Sequence, residues 1–256
     1  MKTDDIGADA VPRHAPALLH QAMNSQAAGE FVSAAGYDGR IIDLQHGEVG
    51  LDDACRLLRS IPREHGRYAY ARVGSIDAAP ILRLLDSGAR GIIAPTVETA
   101  AQAAALVAAT KYPPLGGRSL GPTRPALYPG DDYTAAGNRS ASAIVQIETR
   151  AGYENVDDIL AVEGLDSVYI GPADLAVSYG LPGRGDWDDG PVRAAIEDLA
   201  VRVRAAGLTL GCYAASPAYA RGLIADGLVD YVGLGIDLVF LNHAAQSAIH
   251  ALRSTT

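Results

Sequence analysis

The chain has 256 residues, 48% apolar, 20% charged and 6% aromatic, with 21 Lys and Arg against 30 Asp and Glu for a net charge of −9. That apolar content is ample for a core and excludes global disorder. An acidic chain with no basic block excludes nucleic acid as the main partner, because phosphate binding needs clustered Lys and Arg.

Two cysteines, Cys55 and Cys212, are too few for a disulfide framework, so a reducing, cytoplasmic setting is expected. Residues 1–15 are acidic, broken by Pro12, and read as an irregular segment without the apolar stretch of a secretory signal. No run of about 18 apolar residues occurs, so no membrane partner is expected. Gly7–Pro12 is the candidate first strand, ahead of a helix around Pro16–Ala35. Strands are then expected at Arg40–Leu44 and Tyr68–Val73, a helix at Asp77–Ser87, a strand at Gly91–Thr96 and a helix at Val97–Thr110. Tyr112–Gly137 is rich in Pro and Gly and reads as a long irregular stretch, the size of a functional lid or a subunit contact. Beyond it come a strand at Ala143–Glu148, a helix at Tyr153–Val162, a strand at Ser167–Gly171, a helix at Pro191–Ala206, and strands at Leu208–Tyr213 and Tyr231–Gly235. Strands alternating with helices give βαβ units and a parallel sheet. Eight such units in a chain of this length predict an α/β fold, a single-domain (β/α)8 TIM-type barrel over residues 1–256.

In such a barrel the chemistry collects at the C-terminal ends of the strands. Gln146 and Glu148 share one face of their strand, and a buried glutamate there must be paired or ligate a cation. Asp174 follows the next strand. Together the two carboxylates suit a hard divalent ion such as Mg²⁺ or Mn²⁺, with an ion pair for Glu148 and a helix cap for Asp174 as the alternatives. His46 lies three residues beyond Asp43, a spacing that suits an oriented acid/base pair or equally a surface-loop histidine. Arg72 ends its strand, placed to hold a carboxylate or an enolate oxygen, or to pair with an acid. The other histidines, His14, His20, His65, His243 and His250, fall away from the expected strand ends. The two lysines, Lys2 and Lys111, do so as well, which argues against Schiff-base chemistry. No nucleophile elbow, Walker loop or H-E-x-x-H pattern occurs, and no organic cofactor is expected.

The segments D-L-Q-H-G (Asp43–Gly47), K-Y-P-P-L-G-G-R-S-L-G-P (Lys111–Pro122), Q-I-E-T-R (Gln146–Arg150) and V-E-G-L-D-S-V-Y-I-G-P-A-D-L (Val162–Leu175) resemble the HpcH/HpaI family of metal-dependent 2-oxo acid aldolases. The resemblance implies a modified TIM barrel whose last helix swaps between subunits, usually in a hexamer, and a divalent ion (Mg²⁺, Mn²⁺ or Co²⁺). It implies reversible cleavage of 4-hydroxy-2-oxo acids to pyruvate or hydroxypyruvate and an aldehyde. By the same resemblance Glu148 and Asp174 hold the metal, His46 is the acid/base with Asp43 as its partner, and Arg72 binds and polarises the 2-oxo acid. Gln146 and the backbone of Gly171, Pro172 and Ala173 form the pyruvyl pocket, and Asp86 reaches the histidine dyad of an adjacent subunit. Thr96 stands where many relatives have methionine and is expected to shape the aldehyde pocket. Two other functions stay open at this stage: a CoA-thioester lyase of the same barrel superfamily, and a non-catalytic sugar-acid-binding barrel.

Overall fold

A computed structural model describes residues 15–61, 68–121 and 133–254. Eight parallel strands close into a barrel in chain order. They are β1 (Ala17–Gln21), β2 (Gly39–Asp43), β3 (Tyr68–Arg72), β4 (Gly91–Ala94), β5 (Ser142–Ile147), β6 (Ser167–Ile170), β7 (Thr209–Ala214) and β8 (Tyr231–Ile236). Around them lie α1 (Gln26–Ala34), α2 (Leu51–Ser60), α3 (Ala78–Ser87), α4 (Ala100–Thr110), α5 (Tyr133–Ser140), α6 (Arg150–Glu154), α7 (Val156–Leu160), α8 (Pro172–Ser178), α9 (Gly190–Ala205), α10 (Pro217–Ala225) and α11 (Asp237–Arg253).

The first strand is the main correction to the sequence reading. Gly7–Pro12 lies outside the described residues, and β1 is formed by Ala17–Gln21, which had been read as helix. These residues pair with β2 on one side and β8 on the other, closing the barrel. The helix begins only at Gln26, where the Ser25 hydroxyl accepts from the Ala28 N–H. Two helix boundaries also shift for local reasons. Thr99 and Gln102 form a reciprocal capping box, so α4 starts at Ala100. The expected helix Tyr153–Val162 is two short helices meeting at Asn155, whose side-chain amide donates to the Glu98 carbonyl. Within the stretch read as irregular, α5 starts at Tyr133.

Side chains alternate across each strand, so the sheet has two apolar faces. The outward face joins the helices in one large core, with Ala69 and Ala71 of β3 among its members. The inward face is a second cluster of Leu18, Ile41, Tyr68, Tyr70, Ile93, Ile144, Tyr169 and Tyr231, with Tyr213 at its edge. Tyrosines fill this interior because glycines on neighbouring strands leave them room. A Cβ on Gly91 would lie 2.7 Å from the Tyr70 ring, one on Gly211 2.2 Å from Tyr231, and one on Gly233 1.9 Å from the Tyr169 hydroxyl. Tyr169 and Tyr231 stack at 5.9 Å, and Tyr231 meets Tyr70 edge-on.

The last helix differs from the others. Of its 17 residues only Asp237, at the start, is buried. Leu241 and Leu252 are exposed, Leu252 by 80%. Asp237 fixes the root of α11 by accepting the N–H groups of Ala22 and Met23, just after β1.

The interior packing is testable with one glycine pair. Gly211→Ala drives a methyl into two buried rings and should lower stability by about 1–3 kcal/mol. Gly222→Ala, in α10 with open space at its Cβ, should instead raise it by up to about 1 kcal/mol. Urea denaturation of both variants checks the ordering.

Candidate active site

At the C-terminal mouth, β2 and β3 are in register so that Asp43 lies opposite Arg72. Arg72 grips the Asp43 carboxylate with two bonds, Nε to Oδ1 at 3.0 Å and Nη2 to Oδ2 at 2.6 Å. Oδ1 also accepts the backbone N–H groups of Gln45 and His46, at 3.1 and 3.3 Å. Burial alone would raise the pKa of Asp43, but the Arg72 bonds and charge outweigh it and hold the carboxyl below its usual range. Asp43 therefore touches His46 through that residue's backbone, not its ring, and His46 itself is exposed on the turn after β2.

On the opposite side of the mouth Glu148, buried just past β5, is clamped by neighbouring donors. Its Oε1 accepts the N–H and hydroxyl of Thr96 at 2.8 and 3.0 Å, and its Oε2 accepts from the Gln146 amide. The Thr96 hydroxyl thus faces the glutamate at the mouth of the barrel. Thr96 adopts a positive φ of 53°, unusual for a β-branched residue. Glu148 has its pKa raised, first by burial and further by the charge of nearby Asp174, against the lowering effect of its hydrogen bonds. Asp174 sits exposed in the first turn of α8, not as a helix cap.

Gly171, Pro172 and Ala173 open that helix beside Glu148. A Cβ on Gly171 would lie 2.5 Å from Glu148 Oε2 and 2.9 Å from Gln146 Nε2, so only glycine leaves this cradle open. The Gln146 Oε1 is buried with no hydrogen-bond partner among the described residues. An orphan acceptor beside two repelling carboxylates is a donor set that fits a hard cation. Among the described residues no group of three or more His, Cys, Asp and Glu side chains is suited to a metal. Glu148 and Asp174 are the two carboxylates that could hold one, with Gln146, water or substrate completing the shell.

Asp86 lies apart from this mouth, near the end of α3. Its carboxylate accepts from Arg118 Nη2 at 2.7 Å, and Arg118 stacks over Tyr112. The sequence reading missed His20, because it missed β1. His20 is 2% exposed, bonds through Nε2 to the Tyr169 hydroxyl at 2.7 Å, and meets Tyr213 edge-on. Its pKa is lowered to about 3, mainly by burial and then by the charge of Arg72, with Asp43 opposing. The signal in the sequence was Ser25 before Gln-Ala-Ala-Gly, a helix start that frees Ala17–Gln21 to be a strand.

A parallel barrel whose mouth gathers an arginine–carboxylate pair, a clamped buried glutamate and a second carboxylate defines an enzyme acting on small, oxygen-rich molecules. Residues 17–244 match the family model described as HpcH/HpaI aldolase/citrate lyase. The chain is 37% identical over 225 residues to a hydroxypyruvate/pyruvate aldolase of Rhizorhabdus wittichii, covering 88% of this chain and 89% of that protein. It is 36% identical over 228 residues to a 2-keto-3-deoxy-L-rhamnonate aldolase of Salmonella gallinarum, covering 88% and 84%. Its fold superimposes on an HpcH/HpaI aldolase/citrate lyase family protein of Burkholderia cenocepacia with a TM-score of 0.83 at 29% identity, over 97% of each chain. An HpcH/HpaI aldolase of Desulfitobacterium hafniense shares the fold at a TM-score of 0.87 and 24% identity, over 95% and 94%. The chain belongs to the HpcH/HpaI family and is an aldolase-type lyase.

The Asp43–Arg72 pair gives a stability test. Asp43→Asn leaves a buried guanidinium without its anion and should cost roughly 3 kcal/mol at neutral pH. Because the folded carboxyl is held below its unfolded value of 3.8, the pair's contribution is complete above that value and lost as the pH falls below it. The gap between wild type and variant should therefore narrow below about pH 4, as read by chemical denaturation across pH.

Proposed function

We propose that this chain is a divalent-cation-dependent aldolase that reversibly cleaves 4-hydroxy-2-oxo acids to pyruvate or hydroxypyruvate and an aldehyde. The observation that carries this reading is the Glu148 site: a buried carboxylate repelled by Asp174, next to the orphan Gln146 Oε1. Relatives named for pyruvate, hydroxypyruvate and a 2-keto sugar acid support the substrate class. Bound by Glu148 and Asp174, a divalent ion such as Mg²⁺, Mn²⁺ or Co²⁺ supplies Lewis-acid polarisation of the 2-oxo group.

The chain's own residues then divide the work. Asp43 commits Nε and Nη2 of Arg72, so the Nη1 edge is left to meet the oxygen on which enolate charge develops. Gln146 and the Gly171–Ala173 backbone, with its open Cβ position, accommodate the pyruvyl end. In cleavage the 4-hydroxyl gives up its proton, the C3–C4 bond breaks with its electron pair passing to the enolate, and C3 is then protonated. His46 is assigned this proton transfer; Asp43 fixes the turn that carries it. Asp86, engaged by Arg118 on the outside of its own barrel, is assigned to the His46 of a neighbouring copy. A homo-oligomer, with the family resemblance favouring a hexamer, is supported by α11, which leaves Phe240, Leu241 and Leu252 exposed. A second copy exchanging this helix would cover them.

Three experiments test the reading. Exhaustive EDTA treatment should abolish aldol cleavage, and Mg²⁺, Mn²⁺ or Co²⁺ should restore it; Glu148→Gln should weaken cation affinity at least about tenfold. Arg72→Lys keeps the charge but loses the planar fork. It should slow both aldol turnover and deuterium uptake at the donor C3 about 10²-fold, whereas wild-type uptake in that variant would remove Arg72 from the enolate. For assembly, Leu241→Glu should shift the protein to smaller species in light scattering and lower specific activity in step, an outcome that a fully active monomer would contradict.

A further inference from the structure

His20 is a buried, polar, titratable side chain that the reaction outlined above does not use. It lies inside the barrel against Tyr169 and Tyr213, close enough to Arg72 and Asp43 for both charges to act on it. Its Nε2 is engaged by Tyr169, and its Nδ1 is buried without a hydrogen-bond partner among the described residues.

Acceptor strength favours one nitrogen of the ring as the proton carrier. If Nε2–H donated to Tyr169, the tyrosine's own hydroxyl proton and the Nδ1 lone pair would both go unmet, since the hydroxyl makes no other hydrogen bond among the described residues. If instead the Tyr169 hydroxyl donates to Nε2, the N–H at Nδ1 and a phenolic lone pair are left over; the number is the same, but an imidazole nitrogen is a stronger acceptor than a phenol oxygen, which favours this arrangement. Burial holds the ring neutral well into acid, with a pKa of about 3. The ring is therefore a neutral imidazole, oriented by a tyrosine, offering one unmet N–H. Leaving a buried donor unmet costs roughly 1–3 kcal/mol, which a ligand oxygen at that point would recover.

We infer that His20 is a further catalytic residue, whose Nδ1–H donates a hydrogen bond to an oxygen of the bound 2-oxo acid beside Arg72. A neutral donor fits this place. A cationic imidazole next to the Arg72 guanidinium would be repelled, whereas a neutral N–H adds to the hydrogen bonding of a developing enolate without adding charge. Tyr169 is the positioning residue that fixes the tautomer. The inference rests on the aldolase reading for the identity of the ligand, while the tautomer and the unmet donor stand independently of it.

The test compares two amides. In His20→Asn the side-chain amide falls near the position of Nδ1, and in His20→Gln near that of Nε2. A role through Nδ1 predicts that His20→Asn keeps most of the metal-dependent C3 deuterium uptake of pyruvate, while His20→Gln loses it by on the order of 10²-fold. A purely structural role through the Tyr169 bond predicts the reverse order. That reversal, or unchanged uptake in both variants, overturns the inference. If both variants lose activity or do not fold, the wild-type ring decides. Solid-state ¹⁵N NMR of histidine-labelled protein should show a neutral ring protonated at Nδ1, whose Nδ1 signal shifts when Mg²⁺ and pyruvate are added. A ring protonated only at Nε2, or an Nδ1 signal that pyruvate leaves in place, refutes it. Wild-type protein that takes up no deuterium from pyruvate under any divalent ion would sink the aldolase reading instead, and would leave the apo tautomer measurement intact.

Discussion

The interior volume of the closed barrel is the constraint on which the site depends. Eight strands fix that volume, and branched aliphatic residues usually fill it. Here tyrosines do much of the filling, each reaching into space that a glycine on a neighbouring strand leaves empty. A tyrosine brings a hydroxyl, and a buried hydroxyl must find a partner. Tyr231 finds Ser167 at the N-terminal end of β6, and Tyr169 finds His20 near the mouth. The packing solution thus sets polar contacts at two levels of the barrel. The upper one orients a side chain beside Arg72, so filling the core and shaping the floor of the site are one event.

The charges at the mouth fall into two unequal halves. On the β2–β3 side, Asp43 and Arg72 neutralise each other through two hydrogen bonds, and both are buried. On the β4–β6 side, burial and the charge of Asp174 raise the cost of ionising Glu148, and no cationic side chain bonds to either among the described residues. The first half is complete as it stands and gives the second a fixed positive edge to face. The second half carries the surplus negative charge that a divalent ion would match.

How much of this was legible follows from which signals are local. All seven strands seen in the sequence share their β-branched or tyrosine-rich runs with the folded strands to within a residue or two at each end, the largest difference being at the end of β4, where Thr96 turns to meet Glu148. Asp43, Arg72 and Glu148 were visible for the same reason: each sits at the end of such a run. β1 was not visible, because Ala-Leu-Leu-His-Gln followed by Ala-Met has the composition of a helix. Its strand state is imposed by β2 and β8, which need a neighbour to close the barrel. Losing β1 cost His20, the one histidine among the described residues that lies in a strand. The partner of Asp43 was not legible either. Sequence spacing favours a residue three positions away, whereas the register of β2 against β3 delivers Arg72 from across the sheet.

Thr96 shows where the fold accepts strain and why. A β-branched residue at positive φ costs of order 1–3 kcal/mol and persists only when its surroundings over-determine it. Two constraints do so here. The Val97 N–H is held by the Gln146 carbonyl at 3.2 Å, and both donors of Thr96 end on one oxygen of Glu148. Glycine would adopt this conformation without strain, but it would give up the hydroxyl bond to a buried carboxylate. Such bonds are worth more than neutral ones, roughly 1.5–3 kcal/mol, which is enough to offset the backbone cost. The strained residue, the unmet amide oxygen of Gln146 and the two carboxylates all lie within the β4–β6 sector, while Asp43 and Arg72 opposite are joined by two hydrogen bonds. Strain, an unmet acceptor and like charge gathered around one buried glutamate mark this sector as one that a bound cation would stabilise.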